Sequence, residues 1–139
     1  MNNAAEPIRI LRIIARLNVG GPAIHTILLT KLLSAERFAS TLITGQVSPS
    51  EGDMQYLAEE QGVSPYIIPE LGREIRWRDD VTALWKLYRL MRTQRPTIVH
   101  THTAKAGMLG RVAAKLAGVP IIVHTFHGHV FHSYFSRRK

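Results

Sequence analysis

The arrangement of apolar runs along this chain constrains its fold more than any other feature. Short runs rich in β-branched residues alternate with longer segments of helical periodicity, and glycine or proline marks most of the junctions. The predicted strands cover residues 8–14, 38–44, 66–69, 97–101 and 120–124, and the predicted helices cover residues 22–34, 53–61, 79–94 and 103–118. Largely apolar strands joined by helices are typical of parallel sheets. We therefore predict an α/β fold, a doubly wound parallel sheet in strand order 3-2-1-4-5 with helices on both faces.

Each of the longer helices should bury one apolar stripe against that sheet. The helical spacing predicts burial of Ile24, Ile27, Leu28 and Leu32 in the first helix, of Val81, Leu84, Trp85, Tyr88 and Met91 in the third, and of Leu109, Val112, Ala113 and Leu116 in the fourth.

The size of the chain limits it to one domain, residues 1–139, because 139 residues with 45% hydrophobic composition suffice for one core. The absence of cysteine excludes disulfides, thiol nucleophiles and cysteine-ligated metals. No apolar run approaches the roughly 20 residues of a membrane span, and Met1–Pro7 has neither the basic nor the apolar region of a signal peptide. We therefore expect a cytoplasmic location.

Charge is divided unevenly along the chain. Residues 1–80 hold eight Lys and Arg against ten Asp and Glu, whereas residues 81–139 hold ten Lys and Arg and no carboxylate. This asymmetry indicates that the second half faces an anionic partner, either nucleotide phosphates, a lipid head group or nucleic acid. It also excludes a catalytic pair of carboxylates within that half.

Three motifs follow the first, fourth and fifth predicted strands, at the edge of the sheet where parallel folds bind ligands. Gly20 and Gly21 bend the chain after the first strand, and Pro22 favours the helix that follows. The two glycines are interpreted either as a tight turn or as an anion site made of bare backbone N–H groups at a helix start. A third glycine and a Walker lysine are both missing, so NAD or P-loop binding is only weakly supported.

The motif after the fourth strand combines hydrogen-bond donors with one positive charge near a helix N-terminus. Its members are Thr101, His102, Thr103 and Lys105. They indicate an anion or ligand site, and an ordinary capped helix is the alternative. His25, in the first predicted helix, is interpreted as an ordinary helix residue.

The motif after the fifth strand contains His124, His127, His129 and His132. These residues could chelate a metal, although no carboxylate lies nearby in the sequence. They could also be packed structural histidines. The third interpretation is that one or two of them bind a polyhydroxylated or phosphorylated ligand as neutral imidazoles.

Two further basic groups flank these motifs: Arg73, Arg76 and Arg78, and the terminal residues 137–139. Solvated surface charge is the favoured interpretation, and contact with nucleic acid or acidic lipid is the alternative. Trp77, within the first group, indicates an interfacial loop.

Taken together, these motifs resemble the N-terminal domain of retaining GT-B glycosyltransferases of family 4. The resemblance rests on the glycine turn after the first strand, on Pro-Thr-Ile-Val-His-Thr-His-Thr-Ala-Lys-Ala-Gly at 96–107, and on Val-His-Thr-Phe-His-Gly-His at 123–129. It spans residues 8–134 and is carried by the combination of the motifs rather than by one of them.

The resemblance implies one Rossmann-like half of a GT-B fold, in which the first domain mainly binds the acceptor and the second binds the nucleotide sugar. Gly20 and Gly21 would approach the donor diphosphate, and His127 would contact the transferred sugar near its anomeric centre as the catalytic residue. Residues on the acceptor and sugar side would be His102, Thr103, Lys105 and His129. The resemblance implies no metal and no cofactor besides the nucleotide-sugar substrate.

The family's nucleotide-binding second domain is absent from the sequence, and the first domain is expected to be incomplete at its C-terminus. We therefore expect the complete enzyme to transfer a sugar to a glycan or lipid-linked acceptor at the inner face of the cell membrane, and this chain alone to be inactive. Two alternatives stay open: a non-catalytic module of Rossmann type that binds anions or nucleic acid, and a histidine-ligated metal protein.

Overall fold

The fold is a five-stranded parallel sheet with helices on both faces. A computed structural model describes residues 5–33, 35–72 and 74–127. The strands are β1 (Ile8–Arg16), β2 (Phe38–Gly45), β3 (Tyr66–Ile67), β4 (Ile98–His102) and β5 (Ile121–Thr125). The helices are α1 (Gly21–Leu32), α2 (Gln55–Glu60), α3 (Trp77–Gln94) and α4 (Ala104–Ala117), and a 3-10 turn covers Pro69–Leu71. The sheet order is β3-β2-β1-β4-β5, which confirms the predicted order.

The core forms two layers because side chains alternate along each strand. Leu11, Ile13 and Ala15 of β1 pack with α3 and α4 on one face. Ile14, together with Leu17 just beyond the strand, packs with α1 and α2 on the other face. A given strand residue therefore meets either the α1 layer or the α4 layer.

The predicted stripe of α1 was largely wrong. Its buried residues are Ala23, Thr26 and Ile27, while Ile24 and Leu32 are exposed. The hydroxyl of Thr26 donates a 3.0 Å hydrogen bond to the carbonyl oxygen of Ala23, so this polar side chain can be buried. Ile27 alone of the four predicted residues is buried.

The stripes of α3 and α4 were only partly correct. Ala83, Leu87 and Met91 are the buried residues of α3, while Val81 and Trp85 are exposed.

Helix α4 contacts the sheet through its own small residues. A Cβ atom at Gly110 would come within 2.6 Å of the Thr101 Cγ2 atom, so the helix could not sit this close with a larger residue there. Leu109 and Ala113 are buried as predicted, but Val112 and Leu116 face outward. The buried side of α4 is therefore set by the small residues that allow close packing, and not by the spacing of the large apolar residues.

Element ends follow the expected chemistry. Gly62 and Gly118 follow α2 and α4 with φ of 70° and 75°, the left-handed conformation that glycine adopts at helix ends. Helix α3 begins at Trp77, two residues before the predicted start at Asp79. Within the described ranges, no helix is both long and apolar enough to cross a bilayer.

Candidate functional site

The carboxyl ends of β1, β4 and β5 bring together histidines from three parts of the chain. The Nδ1 atom of His102 lies 2.8 Å from the Nε2 atom of His127, just after β5. The ring of His25, in α1, lies 5.4 Å from that of His127 and 5.7 Å from that of His102, measured between centroids. The ring of His100 lies 4.2 Å from that of His102. The fold therefore joins the predicted residues His102 and His127, and it adds His25 and His100.

His102 is the buried centre of this histidine cluster, which we define as His25, His100, His102 and His127. Its side chain is fully buried, and its Nε2 atom has no hydrogen-bond partner among the described residues. In the bond to His127, one ring nitrogen must donate and the other accept, so at least one of the two rings is neutral.

Burial favours the neutral form of three of these rings, those of His100, His102 and His127. It lowers the pKa of His102 to about 2, with smaller contributions from His100, His127, Arg12 and His25. Burial is also the main cause that lowers the pKa of His100 to about 4, and the charge of Arg12 adds to it. The pKa of His127 is lowered mainly by burial as well. Neutral imidazoles can donate or accept hydrogen bonds to sugar hydroxyls near pH 7.

Arg12 is a buried cation beneath the cluster, and sequence reasoning missed it. It lies opposite His100 in the sheet register and is 1% exposed. One guanidinium nitrogen donates a 2.9 Å hydrogen bond to the Thr30 hydroxyl, and burial lowers the pKa of Arg12 to about 10. It therefore stays charged at neutral pH. A charged residue in the middle of a strand, flanked on both sides by Ile and Leu, was the signal that could have revealed it.

Thr103 links β4 to α4 in a strained conformation. Its φ is 66° and its ψ is 164°, a region occupied almost only by glycine. Although it takes the N-cap position of α4, its side chain makes no capping hydrogen bond, and the buried hydroxyl has no partner among the residues described. Strain of this kind costs about 1–3 kcal/mol and concentrates at functional sites.

The space in front of Gly20 and Gly21 is open. Gly20 is the N-cap of α1 and Gly21 its first residue. A Cβ atom at Gly21 would meet nothing within 4 Å, and one at Gly20 would meet only the Pro22 side chain at 3.7 Å. A ligand atom can therefore approach this backbone closely. The assignment of both glycines to donor phosphates stays a prediction.

Lys105 lies beside the site, and its charge is paired. Its Nζ atom lies 2.7 Å from the Oδ1 atom of Asp80 in α3 and also donates to the Glu74 carbonyl oxygen. The side chain is 9% exposed. The positive charge that the sequence offers to a ligand is thus shared with a carboxylate from the first half of the chain.

His124 belongs to the opposite face of the sheet, although it is close to His127 in sequence. Its Nδ1 atom lies 2.8 Å from the Thr101 hydroxyl. Its ring packs on α4 so closely that a Cβ atom at Gly107 would come within 2.5 Å. His124 therefore fits the interpretation as a packed structural histidine.

The predicted site residue His129 lies outside the described residues, as does His132. Among the residues that are described, no group of three or more His, Asp or Glu side chains is placed to hold a metal ion. The facing nitrogens of His102 and His127 are bonded to each other rather than directed at a common ion.

A charged cavity of about 560 Å³ adjoins the carboxyl ends of β1 and β2. It is lined by Arg16, Glu51, Glu74, Arg76 and Asp79, among others. The Nε atom of Arg16 lies 2.8 Å from the Oε2 atom of Glu51. Side chains of both signs suit a ligand with many hydroxyl groups, and sequence reasoning did not identify this cavity because its lining comes from distant loops.

The family of the chain follows from comparison with known proteins. The model of the family described as Glycosyltransferase Family 4 matches residues 19–139. The chain belongs to glycosyltransferase family 4.

Two curated relatives support the family 4 assignment. Over 109 residues, 78% of this chain, it is 42% identical to the UDP-Gal:alpha-D-GlcNAc-diphosphoundecaprenol alpha-1,3-galactosyltransferase of Escherichia coli. Over 63 residues, 45% of this chain, it is 35% identical to the capsular polysaccharide biosynthesis glycosyltransferase CapM of Staphylococcus aureus. The matches span 26% and 16% of these relatives' own lengths.

Solved structures show the same fold. The lipopolysaccharide outer core galactosyltransferase WaaB matches with a TM-score of 0.64 at 16% identity, over 91% of this chain and 35% of its own. The MurG protein of Acinetobacter baumannii gives 0.61 at 18% identity over 85% and 35%. A Listeria monocytogenes protein that is assigned as a UDP-N-acetylglucosamine 2-epimerase gives 0.65 at 17% identity over 87% and 32%. Because transferases and epimerases both match, this likeness establishes the Rossmann-like half of a GT-B fold and not the reaction.

Proposed function

We propose that this family 4 chain forms the acceptor-side part of a glycosyltransferase that transfers a sugar from a nucleotide sugar to a lipid-linked glycan acceptor, with retention. The observation that carries the proposal is the hydrogen-bonded pair of His102, which is buried and neutral, and His127, which is exposed, at the carboxyl edge of the sheet. The family match and the galactosyltransferase relative support it. UDP-galactose as the donor and a GlcNAc-diphosphoundecaprenol as the acceptor are the substrates we infer from that relative's name.

In the proposed reaction, the bond between the anomeric carbon and the diphosphate oxygen breaks, and a bond from that carbon to the acceptor oxygen forms on the same face. The proton of the acceptor hydroxyl moves to the leaving phosphate. His127 orients the transferred sugar by a hydrogen bond, while His102 holds the ring of His127. The open backbone at Gly20 and Gly21 lies close to the diphosphate, where N–H groups at a helix start stabilise developing negative charge.

The protein that contains this chain acts, in this proposal, in polysaccharide biosynthesis at the cytoplasmic face of a membrane. The excess of basic residues after Asp80 and the lipid-linked acceptor of the relative support this location. A second domain that binds the nucleotide sugar completes the site.

Isothermal titration of the 139-residue chain tests the acceptor-side assignment. A soluble GlcNAc-diphosphate with a short prenyl chain should bind more tightly than UDP-galactose, because the chain supplies the acceptor wall. His102→Ala should weaken this binding, whereas His124→Ala, which changes the other face of the sheet, should leave it within about twofold once circular dichroism shows both variants folded. Tighter binding of UDP-galactose than of the acceptor would contradict the assignment.

A further inference from the structure

Helix α3 exposes a row of large apolar side chains to solvent. Trp77, Val81 and Trp85 are spaced four residues apart, so they lie along one side of the helix. They are 72%, 59% and 57% exposed, and each is far more accessible than Ala83 or Leu87, which face the sheet. Two exposed tryptophans on one helix side mark a surface that binds something.

Helix α4 carries a second row with the same spacing. Met108, Val112 and Leu116 are all exposed, at four-residue intervals. Lys105, one turn before Met108, reaches Asp80 of α3, so this side of α4 is turned toward α3.

On α3, Trp77 lies one turn before Asp80, and Ile75, just ahead of the helix, lines one cavity together with Met108. The two rows therefore flank the line where α3 and α4 meet. We name the surface formed by Ile75 and these two rows the α3–α4 apolar face. Its members are Ile75, Trp77, Val81, Trp85, Met108, Val112 and Leu116.

The rim of the α3–α4 apolar face is basic. Its exposed charged side chains include Arg78, Arg89, Arg92, Arg111 and Lys115, while the exposed Glu74 beside Ile75 is paired with Arg76. The guanidinium of Arg78 lies 5.1 Å from the Trp77 ring centroid and that of Arg89 lies 5.9 Å from the Trp85 ring centroid. No carboxylate follows Asp80 in the sequence, so most of α3 and all of α4 present only positive charge.

We propose that the α3–α4 apolar face docks on the surface of an anionic lipid bilayer. Tryptophans prefer the membrane interface, and basic side chains around an apolar surface are attracted by anionic head groups. The face has the composition of an interfacial helix surface, with apolar rows flanked by Lys and Arg. A protein partner would have to match this predominantly positive rim with acidic side chains, whereas an anionic bilayer matches it without a defined geometry.

A cavity of about 370 Å³ lies between this face and the carboxyl end of β4, the strand that carries His100 and His102. Its lining includes Ile75 and Met108 from the α3–α4 apolar face, and Ala15, Thr103 and Ala104 from the carboxyl ends of β1 and β4. A prenyl chain rising from the bilayer could pass along this apolar lining while its head group stays near Thr103. This use of the face rests on the lipid-linked acceptor proposed above.

The two tryptophans make the proposal directly measurable, because they are the only ones in the chain and both lie in the face. Adding vesicles of phosphatidylglycerol and phosphatidylcholine to the chain should shift their fluorescence to shorter wavelength, and brominated acyl chains should quench it. Vesicles of phosphatidylcholine alone should give a much smaller effect, since they lack the anionic charge. No shift with the anionic vesicles, from a folded chain, would overturn the proposal.

Flotation with the same vesicles separates the face from the rest of the surface. The double variant Trp77→Ser with Trp85→Ser, and the double variant Arg89→Glu with Lys115→Glu, should each reduce vesicle binding by about tenfold or more. Matched controls are Tyr56→Ser with Tyr66→Ser, which are exposed aromatics of α2 and β3, and Lys31→Glu with Arg37→Glu. Equal losses in the controls would overturn the assignment to this face.

Other occupants are distinguished by the same variants. If the chain were a dimer by sedimentation equilibrium, and the tryptophan variant were monomeric without any change in vesicle binding, the face would be an interface between copies and the proposal would be wrong. The vesicles contain no sugar acceptor, so docking and sugar transfer are tested separately. Vesicle binding without any sugar transfer, by a protein that joins this chain to a nucleotide-sugar-binding domain, would contradict the proposed function and leave the docking surface in place.

Discussion

At the scale of single residues, the side of the sheet on which a histidine lies decides its role. His124 and His127 are three positions apart, yet His124 packs on α4 and His127 contacts His102 on the side of α1. Side chains alternate between the two faces along β5, which places His124 on the α4 side, and His127 lies just beyond the end of this strand. The four-histidine pattern therefore indicated a site but not which of its members share it.

Stability should fall on acidification because His102 is buried as a neutral ring. Its folded pKa is about 2, while an unfolded histidine titrates near 6.5, so only the unfolded chain takes up the proton between these values. The stability contributed by this residue is complete above about pH 6.5 and decreases as the pH falls. At pH 5 the loss from His102 should be about 2 kcal/mol.

Urea unfolding at pH 7.5 and pH 5 measures this loss. His102→Gln keeps a hydrogen-bonding side chain without a titrating ring, so the variant should lose less stability than the wild type over the same interval. The same decrease in both proteins would show that His102 is not the source of the pH dependence.

At the scale of elements, the sequence predicted the strands and their order, and it failed on the helix faces. Alternation of apolar runs with helices restricts the chain to a few topologies, so β1 to β5 fell where expected. The burial of α4 depends on Gly107 and Gly110, which let the backbone approach the sheet. A pattern of large apolar residues cannot reveal such an approach, because the same residues serve equally well on an exposed docking face.

Gly107→Ala provides a test of this packing. We expect it to lower the free energy of unfolding, whereas helix propensity alone would raise it. Alanine normally stabilises a helix by up to about 1 kcal/mol relative to glycine. Here the new methyl group would press on the His124 ring, which its hydrogen bond to Thr101 holds in place, so we expect a loss of about 1–3 kcal/mol. In a His124→Ala background the same substitution should be neutral or stabilising, as a double-mutant cycle in urea can measure. Destabilisation of equal size in both backgrounds would contradict the described contact.

At the scale of the whole molecule, the predicted edge of the sheet does hold the candidate site. From the rule that parallel sheets bind ligands at the carboxyl ends of their strands, the sequence predicted Gly20, Gly21, His102 and Thr103 as site residues, and their binding roles stay predictions. The contributions of His25 and Arg12 could not be predicted in this way. They depend on the distance from α1 to the sheet and on which buried strand positions are polar, and both are tertiary properties.

In the proposed function, the His102 and His127 pair forms one wall of a sugar-transfer site. The most direct test of this claim is the rate of galactose transfer from UDP-galactose to a GlcNAc-diphosphate lipid by a protein that joins this chain to a nucleotide-sugar-binding domain of family 4. His127→Ala should lower this rate by about a hundredfold or more, because it removes a hydrogen bond to the reacting sugar. His124→Ala, on the other face of the sheet, should retain most of the activity. Equal turnover by the wild type and by folded His127→Ala would contradict the claim.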